Sequence, residues 1–353
     1  MYIFVLLVFI ILLGYYIIYS FNIPKKKKKK YYCISIGSLL FIIMALRNPY
    51  IGNVDMAVSY IPAFNRIIDM SISQVISRHQ KDTSFWLVTK IITYISHDLQ
   101  VWLALLSFPL IFFVSRLIYK YSKIPWLSYL LFLALGYYTT NFYLLRHAMA
   151  FSILIYSYDF LKGKNLKKFI LLVFVASLFH QTALIFIVAY PFTKLKFSKK
   201  QIVILIIFFL LAFITPSIIV PFFQIFLSGR YLAYNVTYTS SLRMTGFFIL
   251  LCVYIFSLYY KKEFLKRDPS SDMLYNLGII SLIFMAFIGV LGEFFRLSMY
   301  FGIYNIILLP NAYAYEKDKN LVVLFSYVLI VFLTIIFLVS RLQLILPYSF
   351  YWN

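Results

Sequence analysis

Residues 2–30 read YIFVLLVFIILLGYYIIYSFNIPKKKKKK. An unbroken apolar run opens the chain and ends against six consecutive lysines. A run of about 20 apolar residues matches the ~30 Å hydrocarbon core of a bilayer. A cleaved signal peptide would carry its basic residues before a shorter apolar stretch, whereas here they follow a long one. The stretch therefore reads as a first transmembrane helix with a stop-transfer flank. Lys25 to Lys30 assign the next loop to the cytoplasm and the N-terminus to the other side.

The remainder of the 353-residue chain repeats this pattern, being 63% hydrophobic, 21% aromatic and 12% charged. Such a composition is too apolar for a soluble domain. The expected fold class is all-α: a polytopic transmembrane helical bundle of about 10–12 membrane segments, in one integral membrane domain over residues 1–353. Apolar segments fall near 2–21, 31–46, 98–117, 124–141, 144–161, 202–226, 245–260, 274–291, 297–315 and 321–340. A net charge of +22 suggests nucleic acid only if its placement is ignored. The cations lie in inter-helix loops, where orientation and anionic membrane lipid account for them, so no nucleic-acid partner is expected. Cys33 and Cys252 both fall in apolar segments, which indicates neither a disulfide framework nor a metal site.

Following the chain from the cytoplasmic lysine run, the inner loops become 116–123, 162–168, 261–273 and 316–320, each carrying Lys or Arg. One segment breaks the scheme. If 168–192 crossed the membrane once, Lys194, Lys196, Lys199 and Lys200 would lie outside, and every later loop would be inverted. Two half-spans meeting near His180 restore the pattern, so 168–192 is expected to form a re-entrant hairpin. His180 would then lie at the floor of a cavity open to the outside, where polar backbone at membrane depth is tolerated.

With this orientation every lysine except Lys81 and Lys90 is inside. The arginines sort the other way: Arg47, Arg66, Arg78, Arg146, Arg230, Arg243, Arg296 and Arg341 are outside, and only Arg116 and Arg267 inside. Orientation alone does not separate the two residue types. Arginine differs in its planar fork of donors, which fits carboxylate and phosphate oxygens bidentately. The outer side also holds the length: a loop over 47–97 with an interfacial helix, and a Tyr-rich loop over 227–244.

Four clusters stand out. In Leu46–Tyr60 (LRNPYIGNVDMAVSY), Arg47 and Asp55 read either as an interfacial ion pair or as a phosphate-binding arginine beside a proton acceptor. In NFYLLRHAMAFSILIYSY, Arg146 sits inside a span, where an ionisable group snorkels to the headgroups or lines a wet, functional cavity. In SLFHQTALIF, His180 is either a satisfied core residue or a proton-transfer group at a break. In GEFFRLSMYFGIYNIILLP, Glu293 and Arg296 are spaced to pair on one helix face, above a stripe of Tyr300 and Tyr304. Arg230 with Tyr231 and Tyr234 makes a similar group. HExxH, CxxC, Walker-loop and GxSxG patterns are missing, which favours arginines as the device that offsets phosphate charge, with no cofactor and no metal.

Taken together, ALRNPYIGNVDMAVSY (Ala45–Tyr60), RHAMAFSI from Arg146, FHQTAL around His180, FRLSMYF around Arg296 and the terminal LPY (Leu346–Tyr348) resemble the EpsG family, within the wider set of Wzy-type polysaccharide polymerases. His147 departs from the Gln expected after the arginine. The resemblance implies a multi-pass glycosyltransferase of the bacterial plasma membrane with its active site extracytoplasmic, for which a GT-C-like architecture is one form. It would join undecaprenyl-diphosphate-linked oligosaccharides into capsular, exopolysaccharide or O-antigen chains. Membrane lipid, a chain-length regulator and a flippase would be its partners. The residues it implies are Asp55 or His180 as base, Arg47, Arg146, Arg230 and Arg296 on diphosphate, and Tyr60, Tyr231, Tyr234 and Tyr300 on sugar. Two other readings compete: a membrane O-acyltransferase of surface polysaccharide, and a non-enzymatic flippase of lipid-linked oligosaccharide, which should show internal repeats.

Overall fold

The computed structural model describes residues 2–50, 55–79, 82–214, 240–289 and 292–352. The described residues are almost entirely helical, as a polytopic membrane protein requires, because helices satisfy their own backbone groups in lipid. Two compact units form, one from Met1–Leu184 with Glu316–Asn353 and the other from Ile185–Tyr315.

The first unit contains α1 (Tyr2–Ser20), α2 (Lys25–Ala45), α3 (Ile61–Ile68), α4 (Ile72–Arg78), α5 (Thr83–Ile95), α6 (Leu99–Tyr121), α7 (Pro125–Ala134), α8 (Tyr137–Thr140), α9 (Leu145–Lys162) and α10 (Leu166–Phe179). Among the described residues, three helical stretches are long and apolar enough to cross a membrane: α1, α6 and Lys319–Arg341. The last is a helix over Lys319–Ile336 that widens into one π turn. Leu6, Phe9, Val323 and Val331 are more than half exposed, as befits surfaces turned to lipid rather than water.

Other spans are shorter than hydropathy suggests. The segment expected over 124–141 breaks at Gly136, whose φ of +82° is open to glycine but costly for other residues. A Cβ there would also come within 3.1 Å of Arg341 Cδ. Asn165 caps α10 by accepting from Lys168 N at 3.2 Å, and the helix ends at His180 in extended backbone (φ −155°, ψ 111°). Its 14 residues rise about 21 Å, short of the ~30 Å of a full crossing. A 3-10 segment, Gln181–Ala189, follows. The break expected near His180 is therefore present.

Packing of α2 against α6 is close at Gly37, where a Cβ would meet Ser115 Oγ at 2.5 Å. One end of this unit gathers its lysine-bearing loops. Lys29 donates to the Ser122 carbonyl, Lys162 lies over the Tyr121 ring, and Asp159 near the end of α9 binds Arg116 and Lys120. At the other end, the C-terminal tail pairs antiparallel with Leu46–Asn48, through Asn48 N to Ser349 O at 2.9 Å and Tyr351 N to Leu46 O at 3.1 Å.

The second unit contains α11 (Lys199–Ile214), α12 (Ser240–Tyr259), α13 (Lys261–Arg267), α14 (Asp272–Ala286), α15 (Phe294–Gly302) and α16 (Asn305–Tyr313). Helices α12 and α13 meet at a 62° bend, and the segment expected over 297–315 is divided between α15 and α16. The connection before α11 is tied to the α13–α14 end: Asp272 accepts from Phe197 N at 3.0 Å, Asn276 donates to Leu195 O at 2.7 Å, and Lys261 lies over the Phe197 ring.

Candidate functional site

In the first unit, the long segment after α2 folds over a cluster of buried apolar side chains that includes Met56, Phe64, Phe85, Trp86, Trp102 and Leu145. Trp102, wholly buried, donates through Nε1 to Thr89 Oγ1 at 3.2 Å. Lys90, one of the two lysines expected outside, is also buried. Its ammonium caps the C-terminal end of α3 by donating to the Ile67 and Ile68 carbonyls at 3.2 and 2.9 Å. A capping box between Ser71 and Gln74 starts α4. These contacts hold α3, α4 and α5 in place on either side of the short connection between α4 and α5.

That connection holds Asp82, with φ 54° and ψ 36°. Aspartate tolerates this left-handed conformation better than most residues, and strain of this sort is found at sites where a side chain must be aimed. The Asp82 carboxylate accepts from Arg146 Nη1 at 2.8 Å. The same oxygen stands 3.9 Å from His180 Nδ1, an ion-pair distance rather than a hydrogen bond. Three elements far apart in sequence thus converge: the α4–α5 connection, the first turn of α9 and the C-terminal end of α10.

Each partner has a reason to be there. Arg146 lies at the N-terminal end of α9, where the helix dipole disfavours a cation, and Asp82 offsets that cost. The guanidinium also donates through Nε to Tyr60 Oη at 3.2 Å and lies 5.6 Å from the centre of that ring. Among the described residues Nη2 has no protein partner, and the side chain keeps a third of its surface open. No side chain caps α9, so its first amides and Nη2 together suit an anion. Neither ring nitrogen of His180 has a hydrogen-bond partner among the described residues. The His147 ring lies 6.0 Å from it and meets Asn141 Oδ1 at 3.3 Å through Nδ1.

Burial works against ionisation of Asp82, but His180, the Arg146 charge and the Gln181 backbone outweigh it and hold the carboxyl below its usual range. His79, stacked on Trp86 with ring centres 4.6 Å apart, is pushed down by burial and by Arg66, Arg78 and Arg146. The site is therefore an ionised carboxylate in a strongly cationic setting.

The other residues singled out from sequence lie elsewhere. Asp55 is exposed and, among the described residues, forms no ion pair, so the Arg47–Asp55 pair does not exist. Arg47 is wholly buried: it donates to the Met44 carbonyl, to Ser107 Oγ at 3.3 Å and to Phe142 O at 2.8 Å, and covers the Phe142 ring. That placement makes it a tie between α2, α6 and the turn before α9, with no face open to a substrate. In the second unit, Arg296 Nη1 meets Glu293 Oε2 at 2.7 Å, the pairing their spacing foretold, and Tyr300 is wholly buried. Arg230, Tyr231 and Tyr234 lie outside the described residues. Asp82 was missed because nothing local marks it. Its only sequence signal is an acid just before the Thr-Ser start of α5, which reads as an ordinary helix cap.

The EpsG family model matches residues 29–350 of the chain. No curated protein and no solved structure matches it.

Proposed function

The chain belongs to the EpsG family, a family of Wzy-like polysaccharide polymerases, and on that premise we propose that it joins lipid-linked oligosaccharide repeat units by glycosyl transfer at the Asp82–Arg146–His180 site. The donor is a growing chain on undecaprenyl diphosphate, and the acceptor is a sugar hydroxyl of a new lipid-linked unit. Both lie in the extracytoplasmic leaflet, on the side away from the lysine loops. The hydroxyl oxygen attacks the donor's anomeric carbon, the bond from that carbon to the diphosphate oxygen breaks, and the lipid diphosphate leaves with the electron pair. The product is a polysaccharide one repeat longer, of capsular, exopolysaccharide or O-antigen type.

The observation that carries the assignment of roles is the Asp82 carboxylate set between a guanidinium and an imidazole. With Nδ1 turned to Asp82, His180 Nε2, which has no protein partner among the described residues and is buried until an acceptor displaces its cover, is left to take the hydroxyl proton, and Asp82 stabilises the imidazolium that results. Arg146 Nη2 and the first amides of α9 bind the diphosphate and offset the charge that grows as it departs. Asp55, exposed and unsupported, is the weaker choice of base.

The test is a reconstituted reaction with purified protein and a synthetic undecaprenyl-diphosphate repeat unit, scored for a polymer ladder and released lipid diphosphate. An O-acyltransferase would yield acylated single units without a ladder. A flippase would move the unit between leaflets without consuming it.

A further inference from the structure

The lysine-bearing end of the first unit is not a flat basic surface. It forms an open cavity of about 540 Å³ whose lining includes Lys25, Lys26, Lys29, Lys120 and Lys123 together with Tyr119. No acidic residue is among those that line it. Asp159, the nearby carboxylate, is already engaged by Arg116 and Lys120 and by the Tyr121 hydroxyl at 2.5 Å. The cavity also receives the N-terminal end of α2, a helix of 21 residues that no side chain caps. Lysine charge and an uncapped helix start act in the same direction, favouring an anion.

A second cavity, of about 370 Å³, runs along the α2–α6 seam between Ile34, Phe41, Phe108, Ile111 and Phe112. Tyr119 lines both cavities, and Lys29 of the first is followed directly by Lys30 of the second. Phe108 and Phe112 are about half exposed, and Phe41 meets Phe108 edge-on at 5.9 Å, so the groove opens to the membrane side of the bundle. A basic cavity beside an apolar groove, with Tyr119 lining both, matches the chemistry of an amphiphile with a phosphate head and an acyl chain. Free phosphate would leave the groove without purpose, and an uncharged lipid would bring no negative charge to Lys25 and Lys26 at the start of α2.

We propose that this pair of cavities is a binding site for an anionic phospholipid, its phosphate among Lys25, Lys26, Lys29 and Lys123 and one acyl chain along the α2–α6 groove. The positive-inside rule assigns the lysine end to the cytoplasmic leaflet, so the bound lipid is distinct from the lipid-linked sugars proposed for the opposite side. The inference stands whether or not the chain is a polymerase.

The test uses the purified full chain and native mass spectrometry with dioleoyl-phosphatidylglycerol, dioleoyl-phosphatidylcholine and glycerol phosphate as probes. Phosphatidylglycerol is expected to remain bound where phosphatidylcholine dissociates, and added salt should weaken it. The K25Q/K26Q variant should bind about 30-fold more weakly, the scale of two surface lysines acting on one anionic headgroup. Ser38→Trp, which fills the groove mouth, should weaken phosphatidylglycerol but leave glycerol phosphate unaffected. Equal retention of the two lipids, or displacement of phosphatidylglycerol by an equal concentration of glycerol phosphate, would overturn the proposal. These two comparisons need only the unaltered protein and stand even if a variant fails to fold.

Discussion

Asp82 accepts a hydrogen bond from Arg146 at 2.8 Å although 64 residues separate them in the chain. The contact joins the residue before α5 to the first turn of α9. It leaves a third of the Arg146 side chain open, and it holds the carboxylate 3.9 Å from His180 Nδ1. Substituting Asp82→Asn keeps the shape and removes the charge. Polymer formation by the variant is expected to fall by about a hundredfold or more, the scale of a lost charge partner in acid–base catalysis. Turnover of purified D82N on a lipid-linked repeat unit measures this, and a rate within threefold of the unaltered protein would remove Asp82 from the site.

The same carboxylate gives a pH signature. Its folded pKa lies below the unfolded value of about 3.9, so the unfolded chain binds more protons as the pH falls. The stability that Asp82 contributes is complete above the unfolded pKa and is lost as the pH drops through the folded one. The melting temperatures of the unaltered protein and D82N should therefore differ while the carboxyl is ionised and converge in strong acid, below about pH 4. Convergence on the alkaline side would contradict the ion pair.

Arg47 is expected to matter for stability rather than for substrate. Its guanidinium is buried and bound to protein oxygens. Arg47→Ala strands those acceptors and opens a cavity, at a cost of about 3–5 kcal/mol. Thermal unfolding and the yield of folded protein register the loss. A milder Arg47→Lys variant that still folds should keep its KM for the lipid-linked donor. A normal melting temperature with a raised KM would return Arg47 to the diphosphate site.

Gly136 marks a second structural requirement. With φ at +82° and Arg341 close by, Gly136→Ala should destabilise the first unit by about 1–2 kcal/mol. An unchanged melting temperature would mean that the α7–α8 break does not depend on glycine.

Much of this arrangement is legible in the sequence, for reasons that differ by residue. The break at His180 follows from lysine bookkeeping, because charge placement constrains topology even where hydropathy shows a continuous apolar run. Arg146 is conspicuous because a guanidinium inside a span is costly without a purpose. Asp82 is invisible by comparison, since an acid in a polar extramembrane segment costs nothing, and its partners lie in helices to which no periodicity links it. Hydropathy also treats 124–141 and 297–315 as single spans, being blind to the backbone at Gly136 and to the division between α15 and α16. Arg47 misleads for the opposite reason: carbonyls from distant segments satisfy it, and carbonyls leave no mark in a sequence.

The orientation assigned to the second unit can be checked separately. Residues 194–200 share an end with Lys261, so one labelling experiment reports on both. In a background without Cys33 and Cys252, a single cysteine at position 196 should resist an impermeant maleimide in intact cells and react once the membrane is opened. Labelling from outside would mean that 168–192 crosses the membrane outright.

The central claim is that His180, aligned by Asp82, takes the proton of the acceptor hydroxyl. The most direct measurement is the rate of polymerisation by His180→Ala in lipid nanodiscs, on a synthetic undecaprenyl-diphosphate repeat unit, with binding of that unit followed in parallel. The account predicts a rate about 10²- to 10⁴-fold lower with binding retained. A polymer ladder formed at the unaltered rate would contradict it.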